Sequence, residues 1–174
     1  MNQKERLKAI EVALANEMRE REFYLKNAQK TRNALGKIMF QSIGDEELEH
    51  YERLKELHQK WMQQKKWPET VSLTVKGSIV KDVLKDFLQK METSPEKDDN
   101  DLEAIRTAIE FEAQGAKYYE NLQSQVSEIQ EKQFFGLLAN MEREHYLSLK
   151  DTEEYLTDPV SWFRKKEHHS LDGA

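Results

Sequence analysis

The sequence predicts an all-α protein built as a four-helix bundle, with one long crossover between the second and third helices. Its 174 residues include only 6 Gly and 3 Pro, so few positions would break a helix. Apolar residues recur at spacings of three and four through four long stretches, which is typical of helices that bury one face. The 3 Trp, 6 Tyr and 7 Phe favour a packed core over a disordered chain of mixed charge.

The first two helices are predicted over residues of about 4–66. A polar break near 31–33 separates them, and the second helix should end before Trp67-Pro68, because proline disfavours helical geometry in the residue that precedes it. The third and fourth helices are predicted over about 101–156, with a break near 123–125. We expect Asn100 or Asp101 to cap the third helix at its N-terminus.

The crossover is predicted over residues 67–100 and should contain a short helix. Apolar residues from Ile79 to Met91 follow an amphipathic pattern there, before a polar loop that begins at Ser94-Pro95. We expect residues 1–158 to form one domain and residues 159–174 a C-terminal tail, which Trp162 and Phe163 would anchor.

Composition excludes several kinds of site and partner. The absence of Cys excludes disulfides, thiolate metal sites and a cysteine nucleophile, so any metal must bind to carboxylate, imidazole or hydroxyl groups. With 33 acidic and 27 basic residues, the net charge is −6 and both signs are interspersed, so we do not expect nucleic acid binding. No run is apolar enough to span a membrane or act as a signal peptide, and a cytoplasmic location is expected.

The two helical pairs are related by an internal repeat. A shift of 95 residues without a gap brings Glu17 onto Glu112 and Tyr24 onto Tyr119. The same shift relates the second and fourth helices, where six positions within 38–54 are identical. These pairs are Phe40/Phe135, Glu47/Glu142, Glu49/Glu144, His50/His145, Tyr51/Tyr146 and Leu54/Leu149. Shared helix composition would favour matches of Glu, Lys and Leu, whereas these matches include histidine and aromatic residues.

Each half offers one lone glutamate and one Glu-x-x-His pair, whose two side chains project from the same face of a helix. In the second helix that face is otherwise apolar. It consists of Phe40, Ile43, Glu47, His50, Leu54, Leu57 and Trp61. The fourth helix repeats the pattern around Glu142 and His145, and Glu112 lies in a similar row of the third. The candidate ligands are therefore expected to point into the core.

Four carboxylates in an apolar interior need compensating charge, since burial of an unpaired carboxylate costs several kcal/mol or more. Two divalent cations would supply +4 against −4, with one imidazole for each ion. The sequence therefore predicts a carboxylate-rich site for two metal ions. This arrangement is described for ferritin-like di-iron and di-manganese proteins.

In these residues and in their order, the chain resembles the rubrerythrin branch of the ferritin-like superfamily over about residues 4–156. The resemblance implies a ferritin-like bundle that binds two iron ions, with Mn or Zn as alternatives because the same donors accept them. The implied metal ligands are Glu17, Glu47, His50, Glu112, Glu142 and His145. It also implies that Tyr24 and Tyr119 lie near the metals; the alternative is that they are core tyrosines whose hydroxyls bond to buried carboxylates.

The chain departs from the family at two points. Rubrerythrins carry a further glutamate three residues after the lone Glu of the third helix, where this sequence has Gly115. Glu20 occupies the equivalent place on the first helix. We hypothesise that Glu20 is the carboxylate that exchanges with redox state; the alternative is an interfacial glutamate paired with Arg or Lys. The second departure is the missing rubredoxin module, which the lack of Cys excludes from this sequence.

The resemblance implies a non-haem di-iron oxidoreductase that reduces hydrogen peroxide with electrons from a separate donor protein. Alternatives are a ferroxidase or iron-handling protein that uses O2, a dimanganese catalase-like enzyme, and a structural helical module with a stabilising metal site. A homodimer is expected. The ligands do not decide between these activities, because the same donors serve all of them.

Overall fold

The computed structural model describes residues 1–64, 78–90 and 98–164. The described residues contain no β-strand, which confirms the predicted all-α class. The helices are α1 (Gln3–Lys30), α2 (Ala34–Gln64), α3 (Val80–Lys90), α4 (Asp99–Gln125) and α5 (Ile129–Thr157). A further helical segment follows at 159–164. The predicted boundaries at Pro68 and Pro95 lie outside the described residues.

The four long helices pack as two pairs, α1 with α2 and α4 with α5. The pairs meet through contacts of α1 with α4 and of α2 with α5, and the crossover helix α3 packs against both α2 and α5. This is the ferritin-like bundle that the sequence predicts, with the short helix within the crossover.

The predicted N-cap of α4 is wrong. Asp98 caps this helix, and its side chain accepts a hydrogen bond from the N–H of Asn100 at 2.9 Å. Asp101 is instead buried, and its Oδ2 accepts the backbone N–H groups of Arg32 at 3.1 Å and Asn33 at 2.9 Å. The prediction failed because the residues before α4 are uniformly polar, so the apolar pattern does not show where the helix begins. Acidic residues are also favourable at every position of a first turn, so they do not identify the cap.

Two apolar clusters fill the bundle, one on each side of its middle. One cluster includes Ile10, Leu57 and Phe134, and the other includes Phe40 and Leu149. On each long helix, one or two buried glutamates or histidines lie between the segments that form these clusters. These residues are Glu17 and Glu20 on α1, Glu47 and His50 on α2, Glu112 on α4, and Glu142 and His145 on α5. The fold thus encloses a polar layer between two apolar ones.

The segment at 159–164 packs back on α5. Trp162 is buried, its ring meets that of Tyr155 edge to face at 5.5 Å, and its Nε1 donates to Asp151 at 2.8 Å. The remaining tail residues lie outside the described part of the chain. No described helix is long and apolar enough to cross a membrane.

Candidate metal centre

All six predicted ligands converge in the polar layer, and none is more than 1% exposed. Their side-chain donors form two overlapping groups, and within each group one donor atom per residue lies within 4.8 Å of the others. One group consists of Glu17, Glu47, His50 and Glu142, and the other consists of Glu47, Glu112, Glu142 and His145. Glu47 and Glu142 belong to both.

The first group joins α1 to α2 and α5 around the imidazole of His50. Its Nδ1 atom lies 3.1 Å from Oε2 of Glu17 and 3.1 Å from Oε2 of Glu47. Oε1 of Glu142 lies 3.4 Å from the same nitrogen. The i, i+3 spacing on α2 places Glu47 and His50 on one face, so both reach the same point.

The second group is centred on His145 of α5. Its Nδ1 atom lies 3.2 Å from Oε1 of Glu47 and 3.3 Å from Oε2 of Glu112. The rings of His50 and His145 stack with centroids 5.7 Å apart and an interplanar angle of 17°. The two groups therefore lie side by side, each with its own imidazole and its own lone glutamate.

The donor set fits two divalent cations. Within the described residues, no Lys or Arg pairs with any of the four glutamates. Both side-chain oxygens of Glu142 and Oε1 of Glu47 are buried and accept no hydrogen bond from the described chain. Buried carboxylate oxygens that accept no hydrogen bond are costly in an apolar interior, and hard or borderline cations are their natural partners.

Without metal, the pKa values of the buried glutamates and histidines show that the polar layer lacks positive charge. Burial, reinforced by neighbouring carboxylates, raises the pKa of Glu17 and Glu112 well above the ordinary value. Burial also opposes the charge on Glu47, but the two histidines outweigh it and lower the pKa of that carboxyl. The pKa of each histidine is raised because the surrounding carboxylates outweigh burial. Without metal, protons replace part of the missing positive charge.

Tyr24 and Tyr119, which the resemblance places near the metals, each contact the lone glutamate of the opposite half of the repeat. The Tyr24 hydroxyl donates to Glu112, and the Tyr119 hydroxyl donates to Glu17. Both rings are buried, and burial together with the adjacent carboxylates raises the pKa of both hydroxyls well above the ordinary value. Each tyrosine therefore keeps its proton and fixes one carboxylate.

Glu20 lies beside the layer but belongs to neither group. Its side chain is buried, and burial followed by the charges of Glu142 and Glu47 raises its pKa to about 11. Arg19 lies 3.9 Å away but is largely exposed, so it compensates little. Burial and the neighbouring carboxylates therefore favour the protonated form of Glu20 when no metal is bound. On α4, a Cβ atom on Gly115 would lie 3.0 Å from Oε2 of Glu142.

One residue at the site escaped the sequence analysis. Nε2 of His145 lies 2.7 Å from Oε2 of Glu46, a half-buried glutamate on α2. Burial opposes the charge on Glu46, but the bond to His145 outweighs it and lowers the pKa of the carboxyl. The internal repeat could not reveal it, because Met141 occupies the equivalent position in the other half.

Comparison with protein families gives one match. The family model described as Rubrerythrin matches residues 8–153, which include all six candidate ligands. Comparisons with curated proteins and with solved structures gave no match.

Proposed function

Because this chain belongs to the rubrerythrin family, we propose that it is a non-haem di-iron oxidoreductase that reduces hydrogen peroxide to water. The observation that carries the proposal is the buried set of four glutamates and two histidines, in which three carboxylate oxygens, on Glu47 and Glu142, accept no hydrogen bond from the described chain. A purely structural core would not need so many buried carboxylates without a Lys or Arg partner. The electrons would come from outside these 174 residues, which contain no cysteine for an iron–sulfur or rubredoxin-type centre.

In this proposal His50 and Glu17 would hold one ion and His145 and Glu112 the other, while Glu47 and Glu142 would serve both. The two shared glutamates come from the second helix of each pair, so the site closes only when the pairs are docked. When bound, the two metal ions supply the two electrons that peroxide reduction needs, H2O2 + 2e⁻ + 2H⁺ → 2H2O.

The chain's own residues would exclude water and supply protons. The apolar clusters above and below the polar layer keep bulk water from the donors, which strengthens every electrostatic interaction there. Tyr24 and Tyr119 would hold the terminal glutamates in place through their hydroxyl protons. Glu20, which belongs to neither ligand group and whose carboxyl pKa is raised in the metal-free protein, would be a candidate proton donor once a bound cation lowers that pKa.

We further propose that Glu20 exchanges into the site when the redox state changes. Its charge would become favourable only when a cation is close, because burial and its carboxylate neighbours otherwise keep it protonated. Gly115 on α4 leaves room for the carboxylate of Glu142, which would have to adjust if Glu20 entered the site.

The test is anaerobic loading with Fe(II), followed by stopped-flow mixing with H2O2 and, separately, with O2. We expect two Fe(II) per chain and oxidation by H2O2 at least tenfold faster than by O2. Faster oxidation by O2 would replace the proposal with ferroxidase activity. Uptake of fewer than two ions per chain would refute the dinuclear centre, and binding without reaction with either oxidant would leave a structural metal site.

A further inference from the structure

The carboxylate of Glu46 connects the metal centre to the crossover. Its Oε2 accepts a hydrogen bond from Nε2–H of His145 at 2.7 Å, and its Oε1 accepts the backbone N–H of Ile79 at 2.9 Å. Ile79 directly precedes α3, the crossover helix that packs on α2 and α5. Both oxygens of Glu46 are therefore occupied, which fixes the orientation of its carboxylate.

The other half of the repeat lacks this contact. The shift of 95 residues places Met141 at the position equivalent to Glu46, and a thioether is only a weak acceptor. Nε2 of His50 is buried and forms no hydrogen bond within the described residues. The two imidazoles thus direct the same nitrogen, Nδ1, toward their glutamates but differ at the opposite nitrogen.

We propose that Glu46 is a positioning residue that holds His145 for metal ligation through Nδ1 and makes its ion position the tighter of the two. This inference rests on the proposed metal centre. It adds that the two metal positions differ in affinity, although each has the same set of Glu and His donors.

The physical basis is the tautomer and orientation of the imidazole. A carboxylate that accepts Nε2–H keeps the proton on that nitrogen and leaves the Nδ1 lone pair free. It also makes the ring a stronger donor and prevents it from rotating. Nε2 of His50 has no such partner in the described chain, so this ring is held only by its stacking and by the glutamates at Nδ1, and we expect it to be the weaker donor.

The experiment compares the native chain with Glu46→Gln in Co(II) titrations of the metal-free protein, followed by visible absorption and calorimetry. Glutamine keeps the shape, but it faces two donors, from His145 and Ile79, with only one acceptor atom. We expect native protein to bind two Co(II) with distinct affinities and Glu46→Gln to weaken the tighter one about 10- to 100-fold. The affinity for the more weakly bound Co(II) should change less than threefold.

A second measurement reports on the imidazole itself. In Zn(II)-loaded protein labelled with ¹⁵N-histidine, we expect the Nε2–H proton of His145 to be protected from exchange, and that of His50 to exchange faster. Glu46→Gln should remove this protection. Asp45→Asn is the matched control, because it removes one exposed negative charge from the adjacent position of α2 without contacting the site.

The outcomes separate the two proposals. A native chain that binds fewer than two Co(II) refutes the metal centre and the role of Glu46 with it. Two ions bound by native protein, with Glu46→Gln indistinguishable from Asp45→Asn in both measurements, refutes the role of Glu46 alone. If Glu46→Gln weakens the binding of both ions equally and the Nε2–H proton of His145 stays protected, the role of Glu46 is also refuted, since this result shows only general destabilisation.

Discussion

The hydroxyl of Tyr24 on α1 donates a hydrogen bond to the carboxylate of Glu112 on α4, which belongs to the other half of the internal repeat. Tyr119 on α4 makes the reciprocal contact with Glu17 on α1. In both halves the tyrosine follows the lone glutamate by seven residues, two helical turns along the same face. Each tyrosine therefore holds the lone glutamate of the opposite pair, and the two contacts join the pairs at the candidate metal centre.

Replacement of either tyrosine by phenylalanine should loosen the glutamate that it holds. We expect Tyr24→Phe and Tyr119→Phe to retain two bound metal ions but to bind them more weakly and to turn over peroxide more slowly. Loss of the buried hydrogen bond should cost about 1–3 kcal/mol of unfolding free energy in the metal-free protein, by chemical denaturation.

Tyr118→Phe is the control for that prediction. The Tyr118 hydroxyl joins the same two helices through a bond to the carbonyl of Ala9 at 2.8 Å, but it lies outside the site. Its loss should lower stability without weakening metal binding. If Tyr118→Phe reduced metal affinity as much as Tyr24→Phe, the tyrosines would act on helix packing and not on the ligands.

The Glu20→Gln variant tests the proposal that the carboxylate of Glu20 exchanges into the site. The amide keeps the size of the neutral acid but can neither release a proton nor become an anionic ligand. We expect two metal ions per chain by elemental analysis, together with at least a tenfold slower oxidation of the Fe(II)-loaded protein by H2O2. Glu22→Gln, on the same helix but turned outward, should behave as the native chain. Unchanged peroxide kinetics in Glu20→Gln would assign Glu20 to packing.

The sequence predicts the fold class, the helical pairing and the convergence of the six candidate ligands, because all three depend on periodic burial. Glu47, His50, Glu142 and His145 interrupt otherwise apolar rows, so their inward direction could be read from spacing alone. Which lone glutamate accompanies which histidine depends on how the pairs dock, and no spacing within one helix contains that information. The structure places Glu17 with His50 and Glu112 with His145.

Glu46 and Asp101 show where sequence reasoning ends. Both are acidic residues among other acidic residues, and their partners lie 99 and 68 or 69 positions away in the chain. Glu46 acquires its role because the start of α3 and His145 reach it from different elements. Asp101 is buried because the turn between α1 and α2 presents two backbone N–H groups to it.

Gly115→Ala should disturb the metal centre although it adds only one methyl group. The new Cβ would lie 3.0 Å from Oε2 and 3.2 Å from Cδ of Glu142, so this shared carboxylate must move. We expect weaker uptake of both ions in a Co(II) titration, because Glu142 belongs to both groups. In Gly136→Ala the added atom meets the end of the Gln123 side chain, which can turn away. Metal binding in that variant should remain native, and equal binding in both variants would show that Glu142 adapts without cost.

Glu47→Ala and Glu142→Ala should each reduce metal content from two ions per chain to less than one. Both carboxylates belong to both groups, so removal of either leaves each position with one fewer anionic donor. Elemental analysis after dialysis against Fe(II) under anaerobic conditions measures the effect. Glu144→Ala is the matched control for Glu142→Ala, because it lies exposed on the same helix. Two tightly held ions in Glu142→Ala would contradict the shared role.

The stability of the protein should depend on pH in opposite directions with and without metal. In the metal-free fold the pKa values of Glu17 and Glu112 are raised above 4.5, and those of His50 and His145 above 6.5. The folded state therefore binds more protons than the unfolded chain, so the stability that these groups contribute is complete at low pH and is lost as pH rises. The pKa values of Glu46 and Glu47 are lowered, so the stability that these two carboxylates contribute is present above about pH 4.5 and is lost only as the pH falls below it.

Calorimetric melting of chelator-treated protein should accordingly show a melting temperature that falls between pH 5 and pH 8. Zn(II)-loaded protein should show the reverse, because the ligands must lose their protons to bind the metal and binding then adds to folding stability. A metal-free Glu17→Gln/Glu112→Gln double variant should have a flatter profile, since two of the groups that bind protons are gone. A melting temperature that rises with pH in the metal-free native chain would show that the buried carboxylates are ionised without metal, and that another source of positive charge compensates them.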